Sequence, residues 1–557
     1  MRSTDVTWWF CAALVAVTPT GLAAATGTPS CSKTGPGKLL TVATSNGPVT
    51  GHIAPNTSCV VEYLGIPYAK PPVGDLRFAA PQPLDCSDQR PYVAANFGFD
   101  CPLTPSKPVD YPGFTPQAQR IINYFASGAG TPQSEDCLTL NIWSKATATA
   151  ATAKKPVIVF FYGGRFTIGN TDSPFYNGRH LADAQDLVVV TVNYRINIFG
   201  FPGAPGQTQN LGLRDQRLAV EWVQKNIARF GGDASRIVLA GQSSGGVAVD
   251  YWAYAHEQDA IAAGLILVSG NAFSFPLPAP ATATKNWNTV VAAVGCNTTT
   301  DQSAVMACMR AANWTDIKAA AAAIKPGAST SVLRSVPAFY PQVDNEFVFA
   351  DYLNRTQAGR FARLPLLGGN NNNEAGYYRI PAFASGVVPT DAQVAAFHLE
   401  SFTCPVARQA AARTAFGVPA WAYRYFADWD NTRLYPGSGA YHGVDLHMVF
   451  GASAEVSGLP TTAEQRALTA LVQRAWYVFA SDPWNGLQRE LGWPRWQVGR
   501  PTLAVLGQNN TAQPRFVDPN VYAAPCSTVT LGALGTPTAT ATASASASAA
   551  ATATPTP

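Results

Sequence analysis

The chain has 557 residues, 47% of them hydrophobic and 13% charged, with a formal net charge of +4. That length supports a large core in one big domain or two. Charge is sparse and mixed in sign with no basic block, so the composition gives no support for nucleic acid as a partner.

Val6 to Val17 form a short apolar stretch behind Arg2, and Ala23-Ala24-Ala25 supplies small residues for cleavage. Residues 1–25 therefore read as a secretory signal peptide. The stretch is too short to span a bilayer, so no stable membrane anchor is expected. Cysteine usage agrees with export to an oxidising compartment. There are ten cysteines. Setting aside Cys11 in the leader leaves an odd number, so one thiol is expected to be free or intermolecular. Sequons at Asn56, Asn297, Asn313, Asn354 and Asn509 add the expectation of a secreted, extracellular glycoprotein.

Further along, Val157-Ile158-Val159-Phe160-Phe161 reads as a fully buried strand, as do Leu187 to Val192 and Ile237 to Ala240. Between the last two, Arg214 to Phe230 carries Leu218, Val220, Trp222, Val223, Ile227 and Phe230 at helical spacing. Leu265 to Val268 and Leu364 to Leu367 give two more strands. Buried strands alternating with amphipathic helices predict an α/β fold with a mostly parallel sheet. No linker divides the body, so residues 26–535 are expected to form one catalytic domain. Residues 536–557 are almost only Ala, Thr, Ser and Pro and cannot bury a core. They read as a disordered linker or stalk, too polar for a lipid-anchor signal.

The feature that carries chemistry is Gly241-Gln242-Ser243-Ser244-Gly245-Gly246, set directly behind Ile237-Val238-Leu239-Ala240. A strand, a tight glycine-flanked turn and an incipient helix form the context of a nucleophile elbow, which lifts one serine hydroxyl above the sheet. A serine hydroxyl is a poor nucleophile at neutral pH and needs a base, itself oriented by a carboxylate. No Cys-x-x-Cys or Cys/His spacing marks a metal site, and no cofactor is expected.

Several segments in order resemble the type-B carboxylesterase/lipase family, the cholinesterase-like branch of the α/β-hydrolases. They are Tyr63-Leu64-Gly65-Ile66-Pro67-Tyr68-Ala69 with Pro71-Pro72-Val73-Gly74-Asp75-Leu76-Arg77-Phe78, then Ser134-Glu135-Asp136-Cys137-Leu138-Thr139-Leu140-Asn141-Ile142-Trp143. Tyr162-Gly163-Gly164-Arg165-Phe166, Asn210-Leu211-Gly212-Leu213-Arg214-Asp215-Gln216 and Phe230-Gly231-Gly232-Asp233 follow, and then the elbow. The resemblance implies a carboxylic ester hydrolase of small-molecule or lipid substrates, working through an acyl-serine. Ser243 would be the nucleophile. Glu374, in Gly369-Asn370-Asn371-Asn372-Asn373-Glu374, would be the acid. His442, in Gly439-Ala440-Tyr441-His442-Gly443-Val444-Asp445, would be the base, with His447 as its rival. The N–H groups of Gly164, Arg165 and Ser244 would form the oxyanion hole. The common family form has Gly where this chain has Arg165, whose side chain is expected to point away or to line the gorge.

The resemblance further implies disulfides Cys101–Cys137, Cys296–Cys308 and Cys404–Cys526, with Cys59–Cys86 a further guess. In lipases of this family the first disulfide loop is a lid. Here it holds the apolar cluster Ile121, Ile122, Tyr124 and Phe125, which would meet either a lipid surface or the body of the protein. No tryptophan lies between Cys101 and Cys137, where choline esterases place one against the quaternary ammonium. Choline esters are therefore disfavoured. The alternative is a non-catalytic binding or adhesion protein on the same fold, a reading kept open by Arg165.

Overall fold

The computed structural model describes residues 40–146, 154–325 and 331–532. The leader 1–25 and the tail 536–557 lie outside the described residues. Among the described residues, thirteen strands form one sheet. They are β1 (Leu40–Thr44), β2 (Gly47–Ile53), β3 (Val60–Pro67), β4 (Tyr92–Val93), β5 (Thr139–Lys145), β6 (Lys155–Phe161) and β7 (Val188–Val192). The rest are β8 (Gly232–Gln242), β9 (Gly264–Val268), β10 (Leu366–Asn371), β11 (Ala420–Tyr425), β12 (Leu503–Leu506) and β13 (Arg515–Val517). Their spatial order is β1-β2-β3-β5-β7-β6-β8-β9-β10-β11-β12-β13, with β4 beside β2. From β7 through β12 every pairing is parallel, and the flanking pairs are antiparallel except for β4, which runs parallel to β2. This is the α/β architecture expected from the apolar runs.

Helices cover both faces, so the central strands are buried throughout. The helix expected over Arg214 to Phe230 runs Leu211–Asn226 and ends in a tighter turn, Ile227–Phe230. One strand differs from expectation. The apolar run Leu364 to Leu367 only begins β10, which continues through Gly368-Gly369-Asn370-Asn371. Those residues carry no apolar signal. They are held in the sheet by β11, which pairs all four, and by β9, which pairs Gly368 and Gly369 on the other side. At Gly369 a Cβ would lie 2.2 Å from the Tyr423 ring, so glycine is what lets the strands close.

Several of the quoted segments meet as buried ion pairs. Arg77 grips Glu135 through two bonds of 2.6 Å. Arg195 holds Asp215 at 2.8 and 2.7 Å. Such pairs act mainly by fixing how loops join, because breaking one leaves a buried charge uncompensated. The Arg77 guanidinium also donates to the carbonyls of Met309 and Arg310. It thereby docks the helical subdomain Pro280–Ala293, Gln302–Ala311 and Trp314–Ala323 against the body. Disulfides join Cys101–Cys137, Cys296–Cys308 and Cys404–Cys526. Cys59 and Cys86 are disulfide-bonded as well, and no cysteine among the described residues is free.

Candidate active site

Ligand sites of parallel sheets lie at the carboxyl ends of the strands, and here the loops after β6, β8, β10 and β11 converge there. β8 ends at Gln242 and the helix Ser244–Ala255 follows at once. Ser243 sits alone in the turn, at φ 56° and ψ −124°. That conformation costs a non-glycine residue about 1–3 kcal/mol, and the packing around it holds it there. A Cβ at position 241 would lie 2.3 Å from the Gly245 carbonyl, and one at 245 would lie 2.1 Å from the Phe161 oxygen. The two glycines are thus required by close approach of backbone to backbone.

Glu374 stands just past β10 and is fully buried. Its Oε1 accepts from the Ser269 hydroxyl at 2.7 Å and from the Asn371 N–H at 2.6 Å. Its Oε2 meets His442 Nδ1 at 2.5 Å. This contact places the ring proton on Nδ1 and leaves Nε2 a lone pair. That lone pair takes a hydrogen bond from Gln242 Nε2 at 3.0 Å. The ring lies among Tyr378, Phe402 and Phe125, with centroids at 5.0, 5.3 and 6.3 Å.

Ser243 and His442 open into one cleft, shared with Phe125, Gly164, Arg165, Tyr377 and Tyr378. Tyr378 lines the same cleft, and its phenol is pushed far above its ordinary pKa by burial and by the Glu374 charge. Tyr378 therefore remains protonated across the working pH range. The structure brings Glu374 and His442 into contact and places Ser243 on the same cleft.

The other histidines lie elsewhere. His447 is buried against Phe175 at 4.5 Å, and neither ring nitrogen has a partner among the described residues. Burial pushes its pKa down to about 3, so it stays neutral. His398 takes a bond from Arg424 at 2.8 Å and is likewise held to about 3, by burial and then by that guanidinium. His256 is lowered by burial to about 4. His52 and His180 pair with Glu62 and Glu455 on the flanks.

The loop after β6 turns through Gly164 at φ 109°, Arg165 at 56° and Phe166 at 57°. The N–H groups of Thr167 and Ile168 donate to the Gly164 carbonyl, and that of Phe166 donates to Ser244 Oγ at 3.2 Å. The N–H groups of Gly164 and Arg165 donate to no acceptor among the described residues. Ser244 opens its helix, where an N–H has no intrahelical partner. The Arg165 side chain lines the cleft, and its guanidinium donates to Ser335 Oγ at 2.8 Å.

The sequence profile of the carboxylesterase family matches residues 38–393. The chain belongs to that family. This carboxylesterase is 31% identical to the chlorogenic acid esterase of Aspergillus niger, over 85% of the chain and 91% of that protein. It is 32% identical to secreted lipase 5 of Gibberella zeae, over 86% and 92% respectively. It is 28% identical to the acetylcholinesterase of Bungarus fasciatus, over 90% and 88%. Membership makes it a serine carboxylic ester hydrolase of the α/β-hydrolase fold, acting on small-molecule esters.

Sequence reasoning named Ser243, Glu374, His442, Gly164, Arg165 and Ser244 but missed the groups around them. Tyr378 lies four residues beyond Glu374, on the helix Ala375–Ala384. One helical turn of spacing was its available signal. Gln242 adjoins the nucleophile. Ser269 and Phe402 carry no local signal, because only the fold brings them to Glu374 and His442.

Proposed function

We propose that this carboxylesterase hydrolyses esters with Ser243 as nucleophile, His442 as base and Glu374 as the carboxylate that orients it. Ser243 Oγ attacks the ester carbonyl and gives its proton to His442 Nε2. The resulting oxyanion is met by the N–H groups of Gly164, Arg165 and Ser244. Collapse expels the alcohol, which takes the proton from His442. Water then attacks the acyl-serine, with His442 again as base, and releases the acid. The cycle starts when the Ser243 hydroxyl donates to His442 Nε2 in place of the Gln242 amide. Apo geometries of this kind commonly tighten only when substrate binds.

The observation that carries this reading is the 2.5 Å contact between Glu374 Oε2 and His442 Nδ1 on the cleft that Ser243 enters. It supports catalysis over the binding-protein alternative, since a binding surface has no need for a buried carboxylate–imidazole pair. We further propose export of the chain after loss of residues 1–25, glycosylation at its sequons and a linker role for residues 536–557. All five sequon asparagines are exposed, as glycan attachment requires.

The test is Ser243→Ala with p-nitrophenyl esters. We expect kcat to fall on the order of 10⁴-fold or more with the circular dichroism unchanged. An organophosphate ester should label the wild-type peptide that contains Ser243 and leave the variant unlabelled. Near-wild-type turnover by the variant would overturn the assignment.

A further inference from the structure

Three cavities meet at Arg165. The first is the cleft that holds Ser243 and His442. The second is a narrow crevice beside Ser244, walled by Phe275, Leu333, Tyr340 and Tyr378. The third leads past Thr167, Asn197 and Phe339. Arg165 lines all three, so an ester arm that runs from Ser243 into either of the other two passes close to this guanidinium.

The charges on these walls have one sign. Arg165 and Arg334 line the first two cavities, and Arg165 and Lys318 line the third. Among the described residues, no aspartate or glutamate lines any of them. Arg334 is compensated behind the wall by Glu400 at 3.2 Å. Lys318 donates to Gln133 at 3.0 Å and lies over Trp314. Arg165 differs from Arg334. Among the described residues its guanidinium donates to the neutral Ser335 hydroxyl and pairs with no carboxylate. Its field is felt by the buried phenols of Tyr340, Tyr377 and Tyr378, each of which it pulls downward against the stronger upward push of burial.

A cation left without a carboxylate in a low-dielectric cleft favours an anion that arrives with the substrate. The planar guanidinium has several donors, so the bond to Ser335 leaves others for a carboxylate fork. Nor is the side chain there by default. Arg165 occupies a left-handed backbone conformation, at φ 56°, that favours glycine.

We propose that Arg165 is a specificity-determining residue that selects esters carrying a carboxylate on the acyl or the alcohol arm. The proposal rests on Ser243 hydrolysing the ester at this cleft. The aromatic walls Tyr340, Tyr377 and Tyr378 would hold the body of such an arm while its anionic end reaches the guanidinium.

Two matched pairs of substrates test it. For the acyl arm the pair is mono-p-nitrophenyl adipate and its methyl ester. For the alcohol arm it is para-acetoxybenzoate and its methyl ester. The readout is the ratio of kcat/KM for acid over neutral ester, in which the Arg165 N–H contribution to the oxyanion cancels. We expect the ratio to exceed unity in the wild type for one pair. In Arg165→Met it should fall by about ten- to a hundredfold, the worth of one charge-assisted hydrogen bond, and Arg165→Lys should restore part of it. Calorimetric titration of the Ser243→Ala variant supplies a readout free of turnover. The acid of the preferred pair should bind more tightly than its methyl ester, and Arg165→Met on that background should abolish the difference. A ratio unchanged by Arg165→Met in both pairs overturns the proposal. Failure of the wild type to hydrolyse even the neutral esters would instead overturn Ser243 hydrolysis itself.

Discussion

Ser269 contributes one hydroxyl, and it decides how the Glu374 carboxylate lies. With Oε1 held by Ser269 and the Asn371 N–H, Oε2 is left for His442. Ser269→Ala should leave the fold intact and lower kcat by about tenfold, the usual cost of a lost bond to a charged group. Steady-state kinetics beside a melting curve would check this, and an unchanged kcat would remove Ser269 from the site. Gly245 makes the opposite kind of prediction. Gly245→Ala should fail to yield soluble protein, because its Cβ would lie 2.1 Å from the Phe161 oxygen. Gly386→Ala, where nothing lies within 4 Å of the added carbon, is the control. It should express well and lose only about 1–2 kcal/mol for its positive φ. The elbow was legible from sequence because sterics admit so few residues there. Ser269 was not, since nothing local distinguishes it from other loop serines.

The helix Ala118–Phe125 lies in the loop closed by Cys101–Cys137, and its apolar side faces the body. Ile121 is buried, while Phe125 packs on Phe175, Tyr377 and the His442 ring. Of the two readings of Ile121, Ile122, Tyr124 and Phe125, packing onto the body is the observed one. The helix is thus a wall of the cleft. Removing the bridge with Cys101→Ser and Cys137→Ser releases a 36-residue loop and should cost about 4 kcal/mol by the chain-entropy account. It should also raise KM more than it lowers kcat, because the wall loosens while Glu374 and His442 stay in place. A KM equal to wild type would mean that the helix holds its position without the bridge. At this scale the parallel strands were legible because they are continuously apolar. The second half of β10 was not, because Gly368 to Asn371 are held by the neighbouring strands rather than by side-chain burial.

For the whole molecule, buried titratable groups set the response to acid. His256, His398 and His447 are held near pKa 4, 3 and 3 in the fold, against an ordinary value near 6.5. Between those limits the unfolded chain binds more protons, so stability is lost as pH falls from about 6.5 towards 4. Asp172 and Asp445 are raised to about 6, by burial first and then by neighbouring carboxylates. They act with the opposite sign and destabilise the fold as pH rises from about 4 to 6. His447→Leu removes one histidine without removing a hydrogen bond of its ring. The drop in urea midpoint from pH 7 to pH 5 should therefore be smaller in the variant, while turnover at pH 7 persists. An equal drop would mean that His447 is not held neutral.

The order of strands also bears on how the chain is made. β9 lies between β8, which leaves the ribosome just before it, and β10, which is translated far later. Through that interval one edge of β9 is an open row of amide groups on which another chain can add. The nucleophile turn emerges in this exposed state, well before Glu374 and His442. A fragment ending at Val268 should therefore aggregate, whereas the full chain should be soluble. Co-expressed chaperones that shield strand edges during synthesis should raise the yield of the intact enzyme.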